Sequence, residues 1–386
     1  MRRLSGNIKR RSWAVPRPRA ETEGLARDWV DSGESGDEPV TPPVSELCLG
    51  GHESERPEKI AAKITFSVIV PCLNEEAVIA GCLDSLVKQD VPHEAFEVLV
   101  IDNGSTDGTL QIVSSFDTKL HLTVLQRPNA HISALRNLGA ERSRGQILAF
   151  LDADCLAPPD WLRQAGAFLE RDPGCVIGAP YRVPDGSSWV AQTWYGDRKR
   201  YHAGSVEYVP SGDLVVSRSD FLRIGGFDER LETNEDCEFC YRARAAGVPV
   251  VGVLEIAVVH LGTPQTLGRF FHKQRWHGKH AFKVFLRDPR KLHNARAVLF
   301  ALYNVVCLFG ISGGLIVLVA SRDASLLYAS VLAILTVPFA LSLRAAALQR
   351  VWPQVLALTA MNLAYGLARA MCVLDVRTWL DFGEPT

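Results

Sequence analysis

Four short apolar runs mark the first half of the chain, and the first three are each followed by a stretch of helical spacing. Residues 64–71 read ITFSVIVP, a β-branched run without alternation, as expected of a strand buried on both faces. EVLVID follows at 97–102, then Leu122–Leu125, then Ile147–Leu151. Between them lie helical patterns through Leu86, over Gly108–Phe116 and over His131–Ser143. Strands alternating with helices of this length predict an α/β fold on a mostly parallel sheet with right-handed crossovers.

The last third reads differently. Residues 297–320 contain no charge, and 24 residues at 1.5 Å each are long enough for a hydrocarbon core of about 30 Å. A second apolar run covers 326–343, and a third, 351–374, is interrupted by Pro353, Asn362 and Arg369. A buried pair of soluble helices is the alternative, and the length and uniformity of the first run count against it. Nine Lys/Arg and one acid lie between Arg269 and Arg296, which predicts that this flank stays cytoplasmic. Arg344 and Arg350 are then also inside. Three spans within 297–375 put the large domain on the cytoplasmic face of the inner (plasma) membrane and the tail 376–386 outside. Within 264–296, Leu267, Phe270, Phe271, Trp276, Phe282 and Phe285 are set among basic residues, which predicts a basic amphipathic helix at the membrane interface. Arg369 would cost about 2.5–3.5 kcal/mol at a helix centre, so it is expected to pair with a lipid phosphate or to snorkel.

Charge and cysteine content narrow the classes. The formal net charge of −1 gives no electrostatic case for a nucleic-acid partner. Residues 1–20 are basic and 21–58 are mostly acidic and rich in Ser, Gly and Pro, so 1–62 are expected to be disordered. The basic stretch has no apolar core of a secretory signal. The nine cysteines include one C-x-x-C pair, Cys237 and Cys240, without the second pair or histidines that a structural zinc site needs. No G-x-G-x-x-G follows the first strand and no G-x-x-x-x-G-K-[ST] occurs, which excludes dinucleotide-binding and P-loop readings.

Polar clusters stand at three predicted strand ends: Asn74-Glu75, Asp102-Asn103-Gly104-Ser105, and Asp152 with Asp154. Open α/β sheets bind ligands at the carboxyl ends of their strands. Side chains two residues apart in an extended segment point the same way, so Asp152 and Asp154 offer converging oxygen ligands for a divalent cation and a diphosphate. An isolated Asp-x-Asp is more often a solvated turn or a helix cap, and the weight here comes from the other clusters. A second acidic pair, Glu235-Asp236, precedes a predicted helix over Cys237–Ala246, whose N-terminus would hold an anion in place. By itself such a pair also reads as a helix cap.

The set VPCLNEE, VIDNGSTDGT, RNLG and FLDAD, in this order and spacing, resembles the family 2 glycosyltransferases of GT-A fold. SGDLVVSR, IGGFDERL, NEDCEFCYRARAAG and VVHLG continue the resemblance, which delimits a domain over 63–263. The resemblance implies a nucleotide-sugar donor, Mg2+ or Mn2+ as cofactor, and inversion at the anomeric carbon. It places Pro71, Asn74, Glu75 and Asp102 in the nucleoside pocket, Asp152 at the ribose or metal, and Asp154 on the metal. Arg136 would contact the diphosphate or ribose, unless it is a surface arginine of its helix. Asp236 becomes the general base, with Gly226, Asp228 and Glu235 on the acceptor side. His260 is a further possible metal or diphosphate ligand, though a single histidine at a strand end is more often structural. Gln274-Arg275-Trp276 resembles the QxxRW motif of processive polysaccharide synthases with two residues missing, so Arg275 or His277 closing over the diphosphate is a secondary expectation. The implied acceptor is lipid-linked or a polysaccharide at the cytoplasmic membrane face. A processive synthase and an inactive scaffold of a polysaccharide export complex are the alternatives.

Overall fold

The computed structural model describes residues 64–198, 204–278, 292–349 and 351–375. The expected disordered segment 1–62, the tail 376–386 and residues 279–291 of the expected basic helix lie outside the described residues.

The four apolar runs form parallel strands β1 (Phe66–Cys72), β2 (Phe96–Asp102), β3 (Leu122–Gln126) and β4 (Ile147–Leu151). β1 is central, with Phe66 opposite Phe96 of β2 and Ile147 of β4. Val68 and Val70 enter the core on one face of the sheet and Ile69 enters the core on the other. Both faces are covered, which is why the run shows no polar alternation. Helices α1 (Ile79–Val87), α2 (Thr109–Ser114) and α3 (Ile132–Arg142) are the crossovers. Ile79, Cys82, Leu83 and Leu86 make the buried stripe of α1 at positions i, i+3, i+4 and i+7.

The second half makes the sheet mixed. Its elements are β5 (Cys155–Leu156), α4 (Trp161–Arg171), β6 (Val176–Gly178), α5 (Trp189–Arg198), β7 (Gly204–Ser205), β8 (Asp213–Ser217), α6 (Arg218–Ile224), α7 (Glu235–Ala245), β9 (Val250–Gly252) and β10 (Val259–His260). β8 runs antiparallel to β4 and β6, and the strand order is β3-β2-β1-β4-β8-β6-β9-β7. β5 and β10 pair antiparallel as a separate ribbon, with His260 opposite Cys155. Cys237 and Cys240 lie on α7 as free thiols.

Beyond α8 (Leu267–Gly278) come three long helices, α9 (Leu292–Ser321), α10 (Ser325–Gln349) and α11 (Val355–Leu374). Segments Ala295–Ser321, Ser325–Ala347 and Trp352–Leu374 are long and apolar enough to cross a membrane. Val306, Val319 and Leu332 point outward from the first two helices. α8 packs on α11: Phe270 meets Met361 and, from α5, Val190, while the Cys372 thiol donates to the Arg275 carbonyl at 3.1 Å. Phe270, Gln274 and Gly278 form the buried stripe of α8, and Arg269, His272, Arg275 and Trp276 face outward.

Candidate active site

The site is built where β4 ends. Its last residue, Leu151, is buried, and the chain then turns through Asp152, Ala153 and Asp154 into β5. Pairing of β5 with β10 brings His260 to the same place: Asp152, Asp154, Cys155 and His260 offer ligand atoms all within 4.8 Å of one another. His260 Nε2 lies 3.6 Å from Asp154 Oδ2, and the Leu261 amide donates to the Asp154 carbonyl at 2.8 Å. Burial lowers the His260 imidazole below its ordinary range against the pull of Asp154, so it presents a neutral, ligand-competent nitrogen. Burial pushes the Cys155 thiol well above its usual range, which leaves two carboxylates and an imidazole as the donor set. Hard oxygens with one imidazole suit a divalent cation such as Mg2+ or Mn2+. Space around them is kept by two glycines. A Cβ at Gly262 would collide with Asp154 Oδ2, and one at Gly212 with Asp152 Oδ2 and the Tyr181 hydroxyl.

Arg136 joins this cluster to the second acidic pair. It projects from α3 and is buried, with Nη2 on Asp152 Oδ1 at 2.5 Å and Nη1 on Glu235 Oε1 at 2.7 Å. Ser211 Oγ also donates to Glu235 Oε1 at 2.9 Å, and the Tyr181 hydroxyl donates to Asp152 Oδ2 at 3.2 Å. Burial would raise the Asp152 carboxyl, but Arg136 and then His260 outweigh it and hold it below its ordinary value. Burial likewise opposes the charge on Arg136, and Asp152 and Glu235 more than compensate. Glu235 and Asp236 are the first two residues of α7, which starts two residues earlier than the sequence pattern suggests, after Asn234 in a left-handed conformation (φ 64°). Asp236 Oδ1 accepts from the Cys237 amide at 2.7 Å. Burial and the neighbouring Glu235 charge push its carboxyl up to about 7.

The first two strand ends are tied to each other. Asp102 is wholly buried, and its carboxylate accepts from the Gly104 amide at 3.0 Å and the Ser105 amide at 3.1 Å. Gly104 has φ +89°, a conformation that the turn requires and that few side chains tolerate. Asn74 Oδ1 accepts from the Thr106 amide at 2.9 Å, and the Glu75 amide donates to Thr109 Oγ1 at 2.8 Å. Pro71 is buried beneath this loop. Burial and then the charges of Asp154 and Asp152 push the Glu75 carboxyl up to about 7.

Asp213 and Asp228 have partners of their own. Asp213 is buried in the core, accepts from Trp161 Nε1 at 3.0 Å and is pushed by burial well above the usual carboxylate range. Asp228 pairs with Arg230 at 2.8 Å and lines a hollow of about 400 Å3 with Gly225, Phe227, Glu229, Glu238 and Arg242. Gly226 supports the far side of Arg136 indirectly: the Asn137 amide that bonds the Phe227 backbone sits against it, and the Phe227 ring lies 5.9 Å from the guanidinium. Sequence reasoning missed Tyr181, Ser211, Gly212 and Gly262. Ser211, Gly212 and Gly262 had a signal, since they lie within the quoted segments SGDLVVSR and VVHLG. Tyr181 had none.

Comparison with known proteins gives the family and the fold. The model of "Glycosyl transferase family 2" matches residues 67–221, and that of "Glycosyl transferase family group 2" matches 147–368, more than half of the chain. Glycosyltransferase AglE of Haloferax volcanii is 29% identical over 238 residues, which are 60% of this chain and 78% of that protein. Poly(ribitol-phosphate) beta-N-acetylglucosaminyltransferase TarS of Staphylococcus aureus is 41% identical over 114 residues, which are 29% of this chain and 20% of TarS. Among solved structures, the mannosyltransferase PcManGT of Pyrobaculum calidifontis, in complex with GDP-Man and Mn2+, superposes with a TM-score of 0.55 at 22% identity. That match covers 83% of this chain and 91% of PcManGT, and it establishes the GT-A fold.

Proposed function

The chain belongs to the family 2 glycosyltransferases, and from that premise we propose that it is a metal-dependent inverting transferase. It moves a sugar from a nucleoside-diphosphate donor to a lipid-linked or polysaccharide acceptor at the cytoplasmic face of a membrane. The single observation carrying this reading is the ion array Asp152–Arg136–Glu235, which fixes the end of β4 against the start of α7. The array supports the reading because it ties the strand end that carries Asp152 and Asp154 to the helix start that carries Asp236, whose carboxyl burial and Glu235 push up to about 7, although the two lie about 80 residues apart in the chain.

In this reading Asp154 and His260 hold the cation, with Asp152 fixed beside them. The bound cation supplies Lewis acidity for the departing diphosphate. The loop of Pro71, Asn74, Glu75 and Asp102 shapes the nucleoside end. The bonds between Asn74 and Thr106 and within the Asp102 turn hold that loop rigid before donor arrives. Asp236 removes the proton from the acceptor hydroxyl, which attacks the anomeric carbon from the face opposite the leaving diphosphate. One carboxylate of the chain, Asp236, serves as base. Arg136 acts through Asp152 and Glu235, both of its partners being carboxylates of the protein, and so is a positioning residue. The test is transfer from a panel of nucleotide-sugars with purified protein. Asp154→Ala is expected to lower turnover at least ~100-fold and to remove its response to added Mn2+. Wild-type turnover in that variant, or full activity in excess chelator, would remove the metal role.

A further inference from the structure

Arg369 is the sole charged residue of α11 and has no use in the chemistry above. Nη2 donates to the neutral amide oxygen of Gln274 at 3.4 Å, and the guanidinium carbon lies 4.9 Å from the centre of the Tyr365 ring. Nε and Nη1 are out of contact with water and have no hydrogen-bond partner. Among the described residues no carboxylate lies within ion-pair distance of it; the nearby Asp375 is 3.6 Å from Arg275. A guanidinium in an apolar helix with two unmet donors and no counterion is costly unless an anion completes it.

Its position says which process that anion belongs to. Arg369 abuts Gly278 at the end of α8: a Cβ added there would stand 3.1 Å from Nη1. One residue earlier, the His277 carbonyl accepts from the Asn234 side chain at 3.4 Å, and Asn234 precedes Glu235-Asp236. Four residues before His277, Lys273 Nζ donates to the Gly262 carbonyl, behind Asp154. The same helix therefore touches the base side and the metal side of the centre while resting on Arg369.

We propose that Arg369 is the binding residue for a phosphate or diphosphate group borne by a membrane-embedded acceptor. The guanidinium keeps its charge and carries N–H donors on Nε and Nη1 that no protein acceptor meets, and phosphate oxygens accept charge-assisted hydrogen bonds of this kind. Held there, the phosphate keeps the acceptor's reacting hydroxyl beside Asp236 while its hydrocarbon lies along the apolar helices. This rests on the transferase reading and adds to it the chemical class of the acceptor and the residue that recognises it.

The test is direct binding. Radiolabelled long-chain prenyl diphosphate is titrated into nanodiscs of phosphatidylcholine holding the purified full chain. Wild type is expected to bind it, and Arg369→Gln to weaken binding about ten- to a hundredfold, the worth of one or two charge-assisted hydrogen bonds. Arg369→Lys, which keeps the charge but loses the guanidinium's several donors, should fall between them. Gly278→Ala, whose Cβ would press on Cys372 Sγ and Arg369 Nη1, should weaken binding with the arginine still present, which keeps the test decisive if the glutamine variant does not fold. Equal binding by wild type and Arg369→Gln, with unchanged melting temperature, overturns the proposal. Inorganic pyrophosphate is the second arm: displacement of the lipid at equal concentration would mean that a free anion is the ligand, which overturns the membrane source. Donor binding by the wild-type chain is measured separately. Loss of the transferase reading would appear there, and loss of this one in the lipid titration.

Discussion

At the scale of single residues, the centre separates two carboxylates by their surroundings. Asp152 is held ionised by Arg136, while burial and Glu235 push Asp236 up to about 7. A base must be deprotonated to act, so the expected turnover number rises with pH through about 7 and levels off above it. Asp236→Asn should lower turnover about 10²–10⁴-fold and abolish that rising limb. A rate profile for the variant that keeps the limb would assign it to another group. The glycines next to the carboxylates give a second expectation. Gly262→Ala puts a methyl group against Asp154 Oδ2, at the expected metal ligand, without altering a donor atom. The Mn2+ concentration for half-maximal activity should rise about tenfold or more, as when the support of a metal ligand is disturbed. The midpoint of thermal unfolding without metal should move little by comparison. An unchanged Mn2+ requirement would mean that Asp154 is free to move away from the added methyl.

Among the elements, α3, α7 and β4 share one apolar core, and Arg136 adds the ionic tie between them. Arg136→Met would fit the space but leave Asp152 and Glu235 without their shared cation in a buried setting. Removing one partner from such an array costs about 3–5 kcal/mol, so a fall in unfolding free energy of that size is expected by denaturant titration. A cost under about 1 kcal/mol would show that water reaches the carboxylates and screens them. The role of Arg136 also shows what could be read from the chain. β1, β2 and β4 were legible because both sheet faces are covered there, so Val68, Ile69 and Val70 are all apolar, whereas β3 is a largely exposed edge strand marked only by its short apolar run. β5, β7 and β10 are two residues long and β6 is three, too short for any period, and the ribbon that delivers His260 to Asp154 was therefore not legible. Asp152, Asp154 and Asp236 could be named from their motifs. Nothing local marks Arg136 as bonded to Glu235, 99 residues away, or Tyr181 as bonded to Asp152. Those contacts exist only once β8 inserts beside β4 and brings Ser211 and Gly212 to its end.

On the scale of the whole molecule, the apolar helices are continuous with the catalytic unit. Phe270 of α8, Val190 of α5 and Met361 of α11 form one small core, flanked by Trp194, Leu267, Ala364 and Tyr365. α11 therefore presents one face to α8, while α9 and α10 carry outward-facing Val306, Val319 and Leu332, which no described residue covers. Two consequences can be separated by experiment. If the outward faces meet lipid, the full chain stays in the membrane fraction through an alkaline carbonate wash. A chain ending at Arg296 should be released, because among its described residues α8 offers an exposed surface of Arg269, His272, Arg275 and Trp276, whose attachment is largely electrostatic and yields to salt. The same truncation uncovers Phe270 and Val190, each worth about 1.5–3 kcal/mol when fully buried. The released chain should thus melt well below the full-length protein in detergent and aggregate at lower temperature. Restoring a polar surface with Phe270→Gln in the truncated chain should reduce that aggregation. A truncated chain as stable and monodisperse as the full one would show that the catalytic unit folds without α11, leaving the helices as an anchor alone.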